Sequence, residues 1–538
     1  MGKSMYAVNE SRDSGVPESR TFDGSGNNIE NPTWGKANEP LIRMTSNGYA
    51  DGVKKLRKGP NPRAISNHVC QEELPRPDAH PTLSSFMWAW GQFVDHEIDL
   101  TPELEATEEE AFFFAPNDDP IEAGAKIPFH RSSFQLGTGE KRVPREQINI
   151  LSAYIDGANV YGASDARALA LRALDGTGRL KSSDGKHGKL LPFNTAGLSN
   201  PQGPLRGGDP PKKFFVAGDL RVNEHGVLIC MHTLFMREHN RICGELADKP
   251  DSRLLKEIRA LGRDEAIYQR ARRHVIAIEQ VITYNDFLPA LLGPKAIPKY
   301  KGYNKKINAS IANVFSTAAY RLGHDMLNSQ LPLADPFDGE ILRGISFDKA
   351  FWKPELITKR GIDVFLAGLA VTEMEAINCQ TVEDIRSNLF NVHPLMPKML
   401  LDLAALNIQR GREHGLPDYN QCRADYVLKK VRKFEDITSD NGRVARLKAA
   451  YRNVNDIDPR IGGLCEDAVG KGIVGPLFHA ILKDQFVRLR DGDRFWYQCD
   501  PGLSKAEMRS LSRTRLSDII RRNTLIEKIR DDVFRTTT

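Results

Sequence analysis

Long apolar runs are missing from this chain, and so is any strong excess of one charge. No stretch of 18 consecutive apolar residues occurs, which predicts the absence of a membrane span. Lys and Arg exceed Asp and Glu by only 75 − 70 = 5 over 538 residues, too little for a dedicated nucleic-acid binder. Cysteine is sparse. The seven present (Cys70, Cys230, Cys243, Cys379, Cys422, Cys465, Cys499) are odd in number and include no CxxC. Neither a disulfide framework nor a zinc site is indicated, and mostly reduced thiols are expected. The opening Met1-Gly-Lys-Ser-Met-Tyr holds no apolar leader-like segment, nor the hydroxyl residue of a myristoylation motif. A cytoplasmic protein, or one exported by a leaderless route, is therefore expected. Strand-like alternation is also scarce, with short extended pieces near 214–216 and 341–342. No repeat or low-complexity linker divides the chain.

What is present is helical patterning. Residues 1 to about 50, rich in Gly, Asn, Ser and Pro, read as irregular wrapping chain. Beyond about Thr82, apolar residues recur at helical spacing over 165–174, 227–246, 254–287, 309–327, 381–390, 399–409, 418–432 and 474–490. Apolar residues make up 40 % of the chain, enough for a sizeable core. The expected fold is mainly α, one large helical domain over 21–535 with long loops and few short strands, preceded by an N-terminal extension, 1–20. Such a domain exceeds the usual size of a single core, and a large buried cofactor would organise it. The basic, Leu- and Ile-containing segment 509–535 and the acidic run 103–110 read as solvated faces.

One helix stands out. In Trp88-Ala-Trp-Gly-Gln-Phe-Val-Asp-His-Glu-Ile-Asp99, residues Gln92, Asp95, His96 and Asp99 share one polar edge at i, i+3, i+4 spacing. Phe86, Trp90, Phe93 and Val94 form the apolar side, where Trp88 and Trp90 read as packing residues. A histidine flanked by acids against an aromatic wall needs bonding partners or a ligand, since buried polar groups without partners are costly. Four further segments carry chemistry: Asp219-Leu-Arg-Val-Asn-Glu-His225, with the helix after it; Tyr320-Arg-Leu-Gly-His-Asp-Met326; Leu406-Asn-Ile-Gln-Arg-Gly-Arg-Glu-His-Gly-Leu416; and Arg488-Leu-Arg-Asp-Gly-Asp-Arg-Phe-Trp496.

These motifs, in this order, resemble those of the animal-type haem peroxidases, the peroxidase–cyclooxygenase superfamily, from about Thr21 to about Val533. The resemblance implies haem b as cofactor, with His324 as proximal iron ligand and Asn407 offering a carbonyl oxygen to its other ring nitrogen. It implies His96 as distal histidine, Arg221 as distal arginine, and Gln92 as the residue that orders distal water or halide. Asp95 and Glu224 match carboxylates that form ester bonds to haem, and Arg321 an arginine near a propionate. The residue types suit the chemistry. A haem iron takes one neutral imidazole and keeps an open position. A second-shell acceptor fixes that imidazole's tautomer. A distal histidine serves as base and then acid, and a fixed guanidinium stabilises developing charge. His232, His239 and His414 read as structural.

The segment Leu151-Ser-Ala-Tyr-Ile-Asp-Gly-Ala158 resembles the family's calcium loop, with Ser152, Tyr154 (through its carbonyl), Asp156 and the distal-helix acid Glu97 as expected ligands; hard oxygens suit that ion. Two departures stand out. Ala158 replaces a frequent serine ligand, and Glu97 stands for aspartate. His225 follows Glu224 where myeloperoxidase has a sulfonium-forming methionine, so at most two covalent haem links are expected. The implied activity is reduction of hydrogen peroxide with oxidation of small donors: halides, thiocyanate or phenols. The alternatives are a haem-dependent fatty-acid oxygenase, which needs a redox tyrosine beside the haem, and a non-catalytic adhesion protein.

Overall fold

The computed structural model describes residues 16–73, 82–104, 111–119, 123–124, 126–201, 212–387 and 402–536. Helix makes up 42 % of the structure, and the sheets are four separate antiparallel pairs of strands, so the mainly α expectation holds. One large apolar core runs through the molecule, with a small satellite of Phe113, Ala115, Ile127, Phe129 and Ala405. Parts of three expected features, 105–110, 388–390 and 399–401, lie outside the described residues.

One helix, Phe86–Ile98, builds one wall of the central cavity. Phe86–Ile98 buries Phe86, Met87, Trp88, Ala89, Trp90, Phe93 and Val94, which leaves Gln92 and Asp95 as its half-exposed edge. Burying each large apolar side chain stabilises the fold by about 1.5–3 kcal/mol. The helix stops where Asp99 turns extended (φ −143°) while its N–H still reaches the Asp95 carbonyl. It packs on Gly226–Asp248, through aromatic contacts of Trp90 and Phe93 with Phe235. The long helical stretch Arg263–Leu292 is apolar enough by composition to cross a membrane, but 78 % of its most apolar window is buried in this core.

Several helices are shorter than their periodicity suggests. The stretch expected over 254–287 breaks at Gly262, whose φ of +85° ends Ser252–Leu261 and starts Arg263–Ile282; glycine tolerates that conformation at low cost. The stretch expected over 309–327 is a wide π turn, Phe315–Ala319, followed by a tight 3-10 turn, Tyr320–Asp325. Thr317 bonds back to the Asn313 carbonyl through its hydroxyl (2.6 Å), a competitor of regular helix bonding. Irregular turns of this kind recur at functional sites. The 418–432 expectation shrinks to Tyr419–Asp425, with Val427 at φ +59° beyond it. Residues 16–50 wrap the surface as expected, pinned by Arg20 on Asp493 (2.6 Å) and Arg494 on Glu18 (2.8 Å).

Candidate active site

A cavity of about 480 Å³, within the range of small-molecule sites, is lined by the Phe86–Ile98 helix, the turn before the Gly226–Asp248 helix and the 320–325 turn. Gln92, Asp95, His96, Arg221, Glu224, His225, Tyr320, Arg321 and His324 all line it. Chain positions separated by more than 200 residues therefore converge on one space.

The turn 219–224 holds Arg221. Asp219 accepts the Arg221 backbone N–H (2.8 Å), an Asx turn, and grips the same residue's Nε and Nη2 (3.1 and 2.9 Å). Nη2 also donates to the Asp99 carbonyl (3.1 Å), and Nη1 lies 3.8 Å from Asp95 Oδ2. Gly218 permits this approach, since a Cβ there would sit 2.3 Å from the Ala158 carbonyl oxygen. On the facing helix, His96 has Nδ1 3.3 Å from Asp219 Oδ1 and Nε2 3.9 Å from Glu224 Oε2. Burial and the adjacent Arg221 push the His96 pKa down to about 4, leaving a neutral ring. Burial works against ionisation of Asp219, but Arg221 and His96 outweigh it and hold that carboxyl well below its ordinary range.

The carboxyls at the cavity edge behave oppositely. Burial, together with the nearby Asp99, raises Asp95 to about 7, and burial raises Glu224 to about 7. Carboxyls held this reluctantly as anions are reactive or paired in a completed site. Gln92 bridges His225 and Glu224, with Oε1 2.8 Å from His225 Nε2 and Nε2 3.4 Å from Glu224 Oε2.

Across the cavity, burial and the positive charges of Arg460 and Arg321 hold His324 well below its ordinary pKa, so its imidazole is neutral and available as a metal ligand. Asn407 does contact its Nδ1 (3.0 Å), but through the amide nitrogen. The expected carbonyl-oxygen contact is corrected, because Oδ1 accepts from Arg321 Nη1 (2.8 Å). A guanidinium only donates and so claims the oxygen. With an iron on its Nε2, His324 would carry its hydrogen on Nδ1 and would need from Asn407 the oxygen that Arg321 holds in this structure. Behind His324, Asp325 is paired with Arg460 (2.6 Å) in full burial. Two neutral imidazoles, a fixed guanidinium and two carboxyls of raised pKa around an apolar-lined cavity fit a haem.

The second candidate site adjoins His96. Glu97 is fully buried and accepts the Gly157 N–H (2.5 Å), while its Oε2 and the Oδ1 of Asp156 have no partner. Ser152 donates to Asp156 Oδ2 (2.7 Å), and the Tyr154 hydroxyl turns away to Trp34, which leaves Tyr154 only its carbonyl for an ion. Burial raises Asp156 to about 7, with Glu97 adding to the rise and Arg20 opposing it. Among the described residues, no three His, Cys, Asp or Glu side chains are arranged to hold a metal, so a cation here would depend equally on backbone carbonyls and Ser152.

Sequence reasoning missed three contacts: Asp219 on His96, His225 on Gln92, and Arg460 on Asp325. Only the first left a signal, since an Asp two residues before an Arg can close on it as an Asx turn. Of the three histidines read as structural, His232 is buried with neither ring nitrogen hydrogen-bonded, while the other two are bonded. His239 bonds Gly178 O (3.0 Å) and Tyr161 (2.9 Å), and His414 bonds Ser132 (2.7 Å). Tyr320 lines the cavity with its ring stacked on Phe315. All seven cysteines are unpaired thiols.

A family model described as animal haem peroxidase matches residues 19–534. The chain is 35 % identical to Peroxidasin homolog pxn-2 of Caenorhabditis elegans over 577 residues, covering 96 % of this chain and 42 % of that one. It is 31 % identical to thyroid peroxidase of Homo sapiens, covering 96 % and 60 %. The chain thus spans about half the length of these curated relatives. Among solved structures, Peroxidase A from Dictyostelium discoideum superposes with a TM-score of 0.85 at 31 % identity, covering 96 % of this chain and all of that one.

Proposed function

The chain belongs to the animal haem peroxidase family, and from that premise we propose that it reduces hydrogen peroxide to water while oxidising small donors: halide, thiocyanate or phenols. One observation carries this reading. A neutral His96 and an Asp219-anchored Arg221 share a cavity with a neutral His324 backed by Asn407.

Haem, when bound, supplies the redox chemistry that passes two electrons from donors to peroxide. His324 would hold its iron, Arg321 a propionate, and Asp95 and Glu224 its edges, through ester bonds for which their types and positions speak. His225, which has no sulfur, cannot form a sulfonium link, so at most two covalent links are expected. The His96 Nε2 takes the proton from the near oxygen of the peroxide and returns it to the far oxygen, which leaves as water. Arg221 stabilises the negative charge that develops on that oxygen and cannot drift, because Asp219 grips it on two nitrogens. Glu97, Ser152, the Tyr154 carbonyl and Asp156 would bind Ca²⁺ and so brace the helix bearing His96; their unpartnered, strained carboxylate oxygens support this.

The deciding experiment is the absorption spectrum of haem-loaded protein before and after peroxide, with guaiacol and iodide turnover. A Soret band without turnover would favour the adhesion role. Oxygen uptake with linoleate would favour the oxygenase. Haem that resists acid–acetone extraction after turnover supports the esters.

A further inference from the structure

The residue after Glu224 decides which end of the Gln92 amide faces the cavity. His225 precedes the Gly226–Asp248 helix in extended conformation (φ −154°, ψ 167°), and its ring folds back over the first turn. Its Nδ1 accepts the Leu228 backbone N–H (3.3 Å). A backbone amide only donates, so Nδ1 carries the lone pair and, in a neutral ring, Nε2 carries the hydrogen. Burial keeps this ring neutral, pushing its pKa down to about 3, with the neighbouring His96 adding to the shift. Trp88, Phe347 and Phe351 stand edge-on around it and leave little room to turn.

Nε2 of His225 lies 2.8 Å from Oε1 of Gln92. Because that nitrogen donates, the atom facing it has to be the amide oxygen; the hydrogen-bond network settles the choice between the two ends of the glutamine. The amide nitrogen then points the other way. One of its contacts is the long 3.4 Å approach to Glu224, and the residue lines the same cavity as His96 and Arg221. A chain of donors therefore runs from Leu228 through His225 to Gln92 and fixes the direction of the last dipole. Without the His225 donor, the amide is free to reverse and offer its carbonyl oxygen to the cavity, which repels an anion.

We propose that His225 is a positioning residue that locks Gln92 with its N–H donors toward the cavity and thereby sets the affinity of the site for small monovalent anions of the halide and pseudohalide class. The inference rests on the peroxidase reading and names the residue that tunes its donor site. Its test is a bromide titration of haem-loaded protein, followed by the shift of the Soret band. His225→Asn keeps a cap for Leu228 but is too short to reach Gln92. It should weaken bromide about two- to tenfold, the size of one lost neutral hydrogen bond. His225→Gln can accept from Leu228 and donate to Gln92 at once, and should bind within about twofold of the parent by the same reasoning. Haem content and melting temperature are matched across the set; if the Asn variant does not hold haem, His225→Leu takes its place with the same expectation.

Bromide affinity unchanged in the Asn or Leu variant overturns the inference, because Gln92 then holds its orientation unaided. A Gln variant as weak as the Asn variant also overturns it, because ring shape and not hydrogen bonding is then at work. A parent protein that takes up no haem sinks the peroxidase reading, and the inference with it. A parent that binds both haem and bromide beside indifferent variants sinks the inference alone.

Discussion

His96 Nδ1 lies 3.3 Å from Asp219 Oδ1, and the same carboxylate grips Arg221. One buried anion thus lies beside both groups proposed to act on peroxide, gripping Arg221 by hydrogen bonds and acting on His96 by charge alone. It favours the hydrogen on Nδ1 and leaves the Nε2 lone pair toward the cavity, as a base requires. His96→Ala should keep haem and slow the peroxide step by about 10²–10⁴, the usual size of a general acid–base loss. Stopped-flow mixing with peroxide measures it, and an unaltered rate removes His96 from the mechanism.

The pH profile follows from the sign of the His96 shift. Its pKa lies lowered to about 4, by burial and then by Arg221, so the neutral base persists above that value and is lost only as pH falls through it. Once Asp95 and Glu224 are esterified and no longer titrate near 7, the peroxide step should be flat from about pH 5 to 8 and decline toward pH 4. Asp219 favours the protonated ring, so Asp219→Asn should move the acidic limb to lower pH while reducing the plateau. A limb near 6.5, the ordinary histidine value, contradicts this placement.

Behind His324, Arg460 and Asp325 form a fully buried pair (2.6 Å). Removing one partner strands a charge, so Arg460→Met should destabilise the protein by about 3–5 kcal/mol, measured by denaturant unfolding. Asp325→Asn strands the Arg460 guanidinium in turn and should cost a comparable amount. A loss below about 1 kcal/mol in both variants argues against an uncompensated-charge penalty.

The calcium proposed at Asp156 would tie metal binding to stability. Its folded pKa is raised to about 7 by burial, above the unfolded value near 3.9. Between those values the folded state holds the extra proton, so in metal-free protein this group loses stability as pH rises through about 4 to 7. Asp156→Asn should flatten that part of the melting-temperature profile. Calcium should raise the melting point of the parent at pH 8 and leave the variant unmoved. A parent indifferent to calcium and to chelator takes the ion out of the account.

His324→Ala should abolish the Soret band, since it removes the side chain proposed to hold the iron. Asn407→Leu should weaken haem retention by removing the amide that contacts His324 Nδ1 and steadies the imidazole. Full haem retention in the His324 variant overturns its assignment.

Much of this site was legible before folding. The polar edge Gln92, Asp95, His96 follows from helical spacing, because a 3.6-residue period places those side chains together whatever the helix packs against. The grouping of Asp219, Arg221 and Glu224 in one turn is equally local. Helix ends were less legible: Gly262 and the 315–325 turns interrupt periodicities that read as continuous, since an apolar repeat does not register one left-handed residue or one back-bonding threonine.

The sequence by itself determined which chemical groups exist, and on which local faces, because those depend on bonds and spacings within a few residues. Only the tertiary structure decided that His96 meets Asp219 across 123 positions, that Arg321 claims the oxygen of Asn407, and that His225 commands the amide of Gln92. Those choices turn on which donor lies within about 3 Å of which acceptor once the core has closed. A pattern of residue types has no access to that distance.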